Sequence, residues 1–398
     1  MMMKRITGAI TVPKGFLASG MHSGIKTKRK DLAIIFSQHP ASVAGTFTQH
    51  AFAAAPVIWS RQVVARAKAR AIVVNSGNAN ACTGRQGDED AKKMASLVAS
   101  GLSIPQTQVL VASTGIIGKL LPMTKITSGI NKLAHSLSKK GASDAAQAIL
   151  TTDRVPKRIA YEMLTGNKPV RIAGIAKGAG MIAPNMATML CFITTDANIS
   201  SKLLNPMLIE CVEMTFNRIT VDGDMSTNDM VLILANGASE TPLIRRGTQA
   251  YRQFKDMLYH VCLKLAKSIA ADGEGATKLI RVRVNGAKTQ KDAKQAAFAI
   301  ANYSLFKISV YAQNISWGRM LAALGSSGVK GLELSRIDVN LNGKIWVKKG
   351  KGGLIEDRAF RRIAKSKEIW IDVSLRMGKA QETVWTCDLT HQYIEENM

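Results

Sequence analysis

Short apolar runs bounded by turn residues recur along this chain, at residues 32–36, 71–74, 108–111, 189–195, 231–234 and 279–284. Several lack polar alternation, which predicts strands covered on both faces, since a one-sided strand would turn every second residue to water. Between them lie amphipathic stretches. Tyr251, Phe254, Leu258, Val261 and Leu265 fall three or four positions apart, on one face of a helix. Residues 88–102 predict another helix, with acids at its start where the helix dipole favours them. Buried strands separated by one-sided helices restrict the chain to α/β architectures in which sheets lie under helices.

The C-terminal third predicts a more antiparallel arrangement. Ile337-Asp338-Val339-Asn340-Leu341 leads through Asn342-Gly343, a hairpin signal, into Lys344-Ile345-Trp346-Val347, and residues 368–375 and 383–389 alternate similarly. No internal repeat or low-complexity linker interrupts the chain.

Composition narrows the function classes. Five scattered cysteines without a CxxC pair argue against a disulfide frame and a zinc site, and six scattered histidines give no metal-ligand spacing. No run of eighteen apolar residues exists, and Pro13 and Lys14 interrupt the N-terminal segment, so the reading is a cytoplasmic protein without a secretory signal or membrane association. The net charge of +26 is uneven: 25 basic against 7 acidic residues over 1–187, and 29 against 21 over 188–398. Such a field attracts carboxylates or nucleic acid. A non-enzymatic, nucleic-acid-binding protein is therefore one alternative, although aromatics for base stacking are scarce at 5%. A second alternative is a dinucleotide-dependent oxidoreductase. Residues 178–183, Gly-Ala-Gly-Met-Ile-Ala, fit G-x-G-x-x-A after a strand-like stretch at 170–175, and that motif requires a helix to begin there.

The most chemically suggestive stretch puts Thr188 between the turn Lys177-Gly178-Ala179-Gly180-Met181-Ile182-Ala183-Pro184 and the apolar run that begins at Met189. A threonine hydroxyl is a poor nucleophile without a base beside it, and the nearest possible base is its own amine. That amine exists only if the bond before Thr188 is cut. Glycines that allow strained backbone, a proline and small Ala187 supply conditions for such a cut, which points to a self-cleaving, N-terminal-threonine acyltransferase.

Lys-Gly-x-Gly-Met-Ile-x-Pro followed by Met-Ala-Thr-Met-Leu resembles the ornithine acetyltransferase (glutamate N-acetyltransferase) family of arginine biosynthesis. Further blocks resemble it in order: residues 75–84, 113–118, 151–153, 221–229, 272–278, 317–319 and 388–390. The resemblance implies a layered αββα-type sandwich core with a smaller second α/β region. It implies cleavage between Ala187 and Thr188, giving an α chain of 1–187 and a β chain of 188–398 assembled as a heterotetramer of two of each. Thr188 would take the acetyl group from N2-acetylornithine, release ornithine and pass the acetyl to glutamate, a ping-pong sequence without cofactor or metal; acetyl-CoA is a further donor in one class of the family. Thr114 and Gly115 correspond to its oxyanion hole. Thr151, Lys177, Glu274 and Asn397, with Thr188, correspond to its substrate contacts. Taken alone, these residues have plainer readings: a strand-ending turn at Thr114-Gly115, a helix N-cap at Thr151, a surface lysine at Lys177 and a solvated acid at Glu274. The chain departs from the family pattern at His50, Asn314 and Ser316, and it stops at Met398 before a second C-terminal contact.

Overall fold

In the computed structural model, which describes residues 3–183 and 189–398, the chain divides into two compact units. The first holds residues 3–179, 189–217 and 225–269; the second holds 180–183, 218–224 and 270–398. The first unit runs β1 (Lys4–Ile6), β2 (Phe16–Met21), β3 (Leu32–Phe47), α1 (Ala55–Ala65), β4 (Lys68–Asn78), α2 (Gly84–Leu102), β5 (Val109–Ile116), α3 (Met123–His135), α4 (Ala142–Ala148), β6 (Lys157–Thr165), β7 (Lys168–Lys177), β8 (Leu190–Thr195), α5 (Ser201–Glu213), β9 (Met230–Ala235) and most of α6 (Gln249–Ala271).

Its nine strands form one sheet in the order β1-β6-β7-β8-β9-β3-β4-β5, with β2 added on β3. The sixteen-residue β3 pairs with β2 and β4 through its first half and with β9 through its second, with an irregularity between Phe36 and Ala41. One strand thus belongs to both halves of a folded sheet. Ile35, Ile72, Val74, Leu110 and Ala112 on one half share a core with Ile175, Leu190, Phe192 and Leu232 on the other. Ile34, Val73, Val109 and Val111 face the opposite way and pack on Met94 and Val98 of α2 and Ile126 and Ile130 of α3. On the other outer face, Val261 and Leu265 of α6 lie over Gly174 of β7. The layers are therefore α, β, β, α, as the sequence resemblance implied.

The second unit is a smaller α/β assembly: β10 (Leu279–Ala287), α7 (Gln290–Asn302), α8 (Ser304–Tyr311), α9 (Trp317–Gly325), β11 (Asp338–Leu341), β12 (Lys344–Lys348), β13 (Lys351–Gly352), α10 (Asp357–Ala364), β14 (Glu368–Ser374), β15 (Ala380–Cys387) and α11 (His391–Glu395). Its sheet order is β13-β12-β11-β14-β10-β15. Asn342 and Gly343 take φ of 46° and 81°, the left-handed pair that a tight hairpin needs between β11 and β12. One pairing departs from the antiparallel expectation. β10 and β14 run parallel because helices and a hairpin intervene between them in sequence, and strand alternation cannot distinguish the two directions. Among the described residues, no helix is long and apolar enough to cross a membrane.

Candidate active site

Within the first unit, the ends of three strands collect the polar groups. β4 and β5 run parallel, and Gly77 pairs with Gly115 in their last turn of register. Gly115 has φ 133°, and a Cβ there would overlap the Gly77 backbone, so only glycine fits. This corrects the expectation of a turn at Thr114-Gly115: both residues lie inside β5, which continues to Ile116. Asn228 fixes the segment by donating its amide to the Ser113 and Ala79 carbonyls at 2.9 and 2.6 Å.

Lys177 closes β7. It is 2% exposed, so it is no surface lysine, and its ammonium donates to the Thr114 hydroxyl at 3.3 Å. Beside it, buried Asp153 receives the Lys157 ammonium at 2.6 Å, the Gly178 N–H at 2.7 Å and the Thr151 N–H at 3.1 Å. Burial alone would push the Asp153 carboxyl up. The Lys157 and Lys177 charges and the Gly178 N–H outweigh that and hold it down at about 2. Thr151 caps no helix, since α4 ends before it and β6 follows. It sits in the bend that Asp153 organises, and its own carbonyl accepts from Arg29 at 3.3 Å.

Lys177 is in register with Leu190, which opens β8 two residues after Thr188. The Met189 N–H donates to Asp229 Oδ1 at 2.7 Å, while Asp229 Oδ2 has no hydrogen-bond partner by geometry among the described residues. Complete burial pushes this carboxyl well above the usual carboxylate range, against the pull of the Met189 N–H and the Lys177 charge. Thr188 and Ala187, the nucleophile and the residue before the expected cleavage, lie outside the described residues.

In the second unit, Asp222 accepts the N–H groups of Met181 and Ile182 at 2.6 and 2.8 Å and so gathers the Gly-rich turn. No helix begins in 178–183 as the dinucleotide reading requires; residues 179–181 form a bend, and the next helix among the described residues is α5, after β8. Glu274 is 8% exposed, not solvated, and its carboxylate occupies the space that a Cβ on Gly180 would need. Asn397 donates to Glu274 Oε2 at 2.8 Å, which joins two of the expected substrate contacts. Their loop is held by Asp388, which accepts from the Thr277 hydroxyl and from the N–H groups of Thr277 and Lys278, and by the Thr390 hydroxyl, which donates to the Gly275 carbonyl. Of the departures from the family pattern, Ser316 has a local role, accepting the Arg319 N–H at the start of α9.

Sequence reasoning missed Asp153, Asp229 and Asn228 as organisers. Asp153 and the 221–229 stretch were visible as motif members, but the backbone groups they hold at Gly178, Met189, Ser113 and Ala79 lie 25 to 149 positions away.

The ArgJ family model matches residues 17–398. The arginine biosynthesis bifunctional protein ArgJ of Symbiobacterium thermophilum is 45% identical over 398 residues, covering 99% of both chains. That of Caldanaerobacter subterraneus subsp. tengcongensis is 45% identical over 399 residues with the same coverage. Among solved structures, ornithine acetyltransferase complexed with ornithine, from Mycobacterium tuberculosis, is 39% identical over 46% of this chain and 98% of that chain, with a TM-score of 0.44.

Proposed function

The chain belongs to the ArgJ family, and from that premise we propose that it is a self-cleaving, N-terminal-threonine acetyltransferase of arginine biosynthesis. The observation that carries this reading is the meeting of Thr114, Lys177 and Asp229-bound Met189 where β5 and β7 end and β8 begins, next in sequence to Thr188.

Thr188 Oγ attacks the Ala187 carbonyl, the acyl group moves from nitrogen to oxygen, and water hydrolyses the ester to give chains 1–187 and 188–398. The freed α-amine, with a reference pKa of about 7.7 to 8.0, then accepts the hydroxyl proton and returns it to the leaving amine. Thr188 attacks the acetyl carbon of N2-acetylornithine, the C–N bond breaks and ornithine departs. The amine of glutamate attacks the acetyl-threonine ester and carries the acetyl away. In both halves negative charge develops on the acetyl oxygen. The Thr114 hydroxyl, oriented by its Lys177 contact, and the Gly115 N–H are its donors. Lys177 and Thr151 bind the anionic part of the substrate, and Glu274, steadied by Asn397, takes the cationic side chain of ornithine. Acetyl-CoA is proposed as a second donor, a heterotetramer of two cleaved protomers as the assembly, and the cytoplasm as the location.

The test is intact mass spectrometry of purified protein with N-terminal sequencing of the second chain, expected to begin Thr-Met-Leu-Cys. An acetylornithine plus glutamate assay, with and without acetyl-CoA, follows. Thr188→Ala should remain one chain and transfer no acetyl. Uncleaved 42.9 kDa protein that transfers acetyl would overturn the mechanism.

A further inference from the structure

The stretch before β3 carries a second cation toward the Thr114–Lys177 cluster, and nothing in the chemistry above uses it. Asp31 is completely buried and accepts the N–H groups of Ser23, Gly24, Ile25 and Lys26 together with the Ser23 hydroxyl, at 2.6 to 3.1 Å. Five donors on one carboxylate fix the loop as a rigid bracket. The bracket lays the Lys26 stem across Gly77, where a Cβ would crowd Lys26 Cγ, and Gly77 is the residue paired with Gly115. The Lys26 ammonium then donates to the Leu150 carbonyl at 2.8 Å, immediately before Thr151, while Arg29 donates to the Thr151 carbonyl.

Lys26 therefore bridges the oxyanion segment and the Thr151 bend. Its one hydrogen-bond partner at the ammonium is a neutral carbonyl, and no carboxylate lies within ion-pair distance among the described residues. Four charged groups act on this ammonium. Asp31 and Asp153 attract the ammonium, Arg29 and Lys177 repel it, and the His22 ring lies against the Lys26 carbonyl. Burial dominates and, with the repulsions, brings Lys26 to about 8. The Lys26 ammonium, bonded to a neutral carbonyl and lying close enough to Lys177 to feel its charge, can receive an incoming anion.

Resting on the function proposed above, we propose that Lys26 is a substrate-binding residue that, with Lys177, receives the α-carboxylate common to N2-acetylornithine and glutamate. An arriving carboxylate supplies the charge that the bracket withholds. Lys26 must be protonated to bind it, so substrate affinity falls as pH rises through the lysine's titration.

The experiment measures steady-state kinetics of the cleaved enzyme between pH 6.5 and 9.5 for wild type, Lys26→Met and Lys26→Arg, with cleavage checked by intact mass. For Lys26→Met the expected result is KM for both substrates raised about 10-fold to 100-fold, with kcat changed far less, because a charge-assisted contact to the ground state has been removed. For Lys26→Arg the expected result is a wild-type KM at pH 7 that no longer climbs above pH 8, since a guanidinium stays charged. Wild-type KM in Lys26→Met, or an alkaline rise in KM retained by Lys26→Arg, overturns the assignment. Should Lys26→Met fail to fold, the Lys26→Arg pH profile decides alone. A wild-type enzyme without acetyl transfer removes the functional reading itself, and this inference with it.

Discussion

Replacing Asp153 by Asn keeps the shape of the side chain and removes one charge, at a point where the cost can be worked out. In the folded chain this carboxyl titrates at about 2, against an ordinary value of 3.8. Because the folded value is the lower one, its stabilisation is fully present above the unfolded value and is lost as pH falls through the range from about 4 to about 2. At about 1.4 kcal/mol per unit, the shift corresponds to roughly 2 to 3 kcal/mol. The substitution also takes the carboxylate away from Lys157, 3% exposed and 2.6 Å distant. Breaking a buried pair from one side costs about 3 to 5 kcal/mol, and this larger figure is the expected loss at pH 7. Urea titration followed by circular dichroism measures it. The double variant Asp153→Asn, Lys157→Met should recover part of the loss by removing the stranded charge. A single variant within about 1 kcal/mol of wild type, or a double variant no better than the single, would refute the electrostatic account.

Two further outcomes test the site. Thr114→Val should fold and still melt near the wild-type temperature, with kcat reduced about 100-fold or more by loss of one oxyanion donor; unchanged turnover would remove Thr114 from that role. Asp229 is pushed up by burial, so the folded chain keeps a proton that the unfolded chain releases, and the stability margin of wild type over Asp229→Asn should shrink as pH rises above the ordinary carboxylate value. Urea midpoints compared at pH 5 and pH 8 read this, and a margin that widens with pH would contradict the burial argument.

The parts of this fold that were legible in the sequence are those governed by local pattern. All six apolar runs became strands, and the one-sided spacing from Tyr251 to Leu265 became α6, with Val261 and Leu265 on Gly174. The helix expected at residues 88–102 begins earlier, at Gly84. What escaped depends on partners distant in sequence. β3 continues through Gln38, His39 and Pro40, exposed residues that carry no strand signal, because its second half finds β9. Asp31 could be read as a lone acid in a basic stretch, yet it holds four backbone amides. The Asn228 and Asp229 roles were equally hidden, since a motif shows that residues recur together without showing what they grip.

The strand order has a consequence for what a break before Thr188 leaves behind. β8 and β9, from the later part of the chain, lie between β7 on one side and β3 on the other, both from the earlier part. The two fragments would be interleaved like clasped fingers, parting only if two ladders unzip at once. A matured molecule should thus purify with equal amounts of both pieces and melt as one body. Once unravelled, however, it would have to regain its form by collision of separate strangers, so its recovery from urea should depend on dilution where that of an unsevered precursor would not.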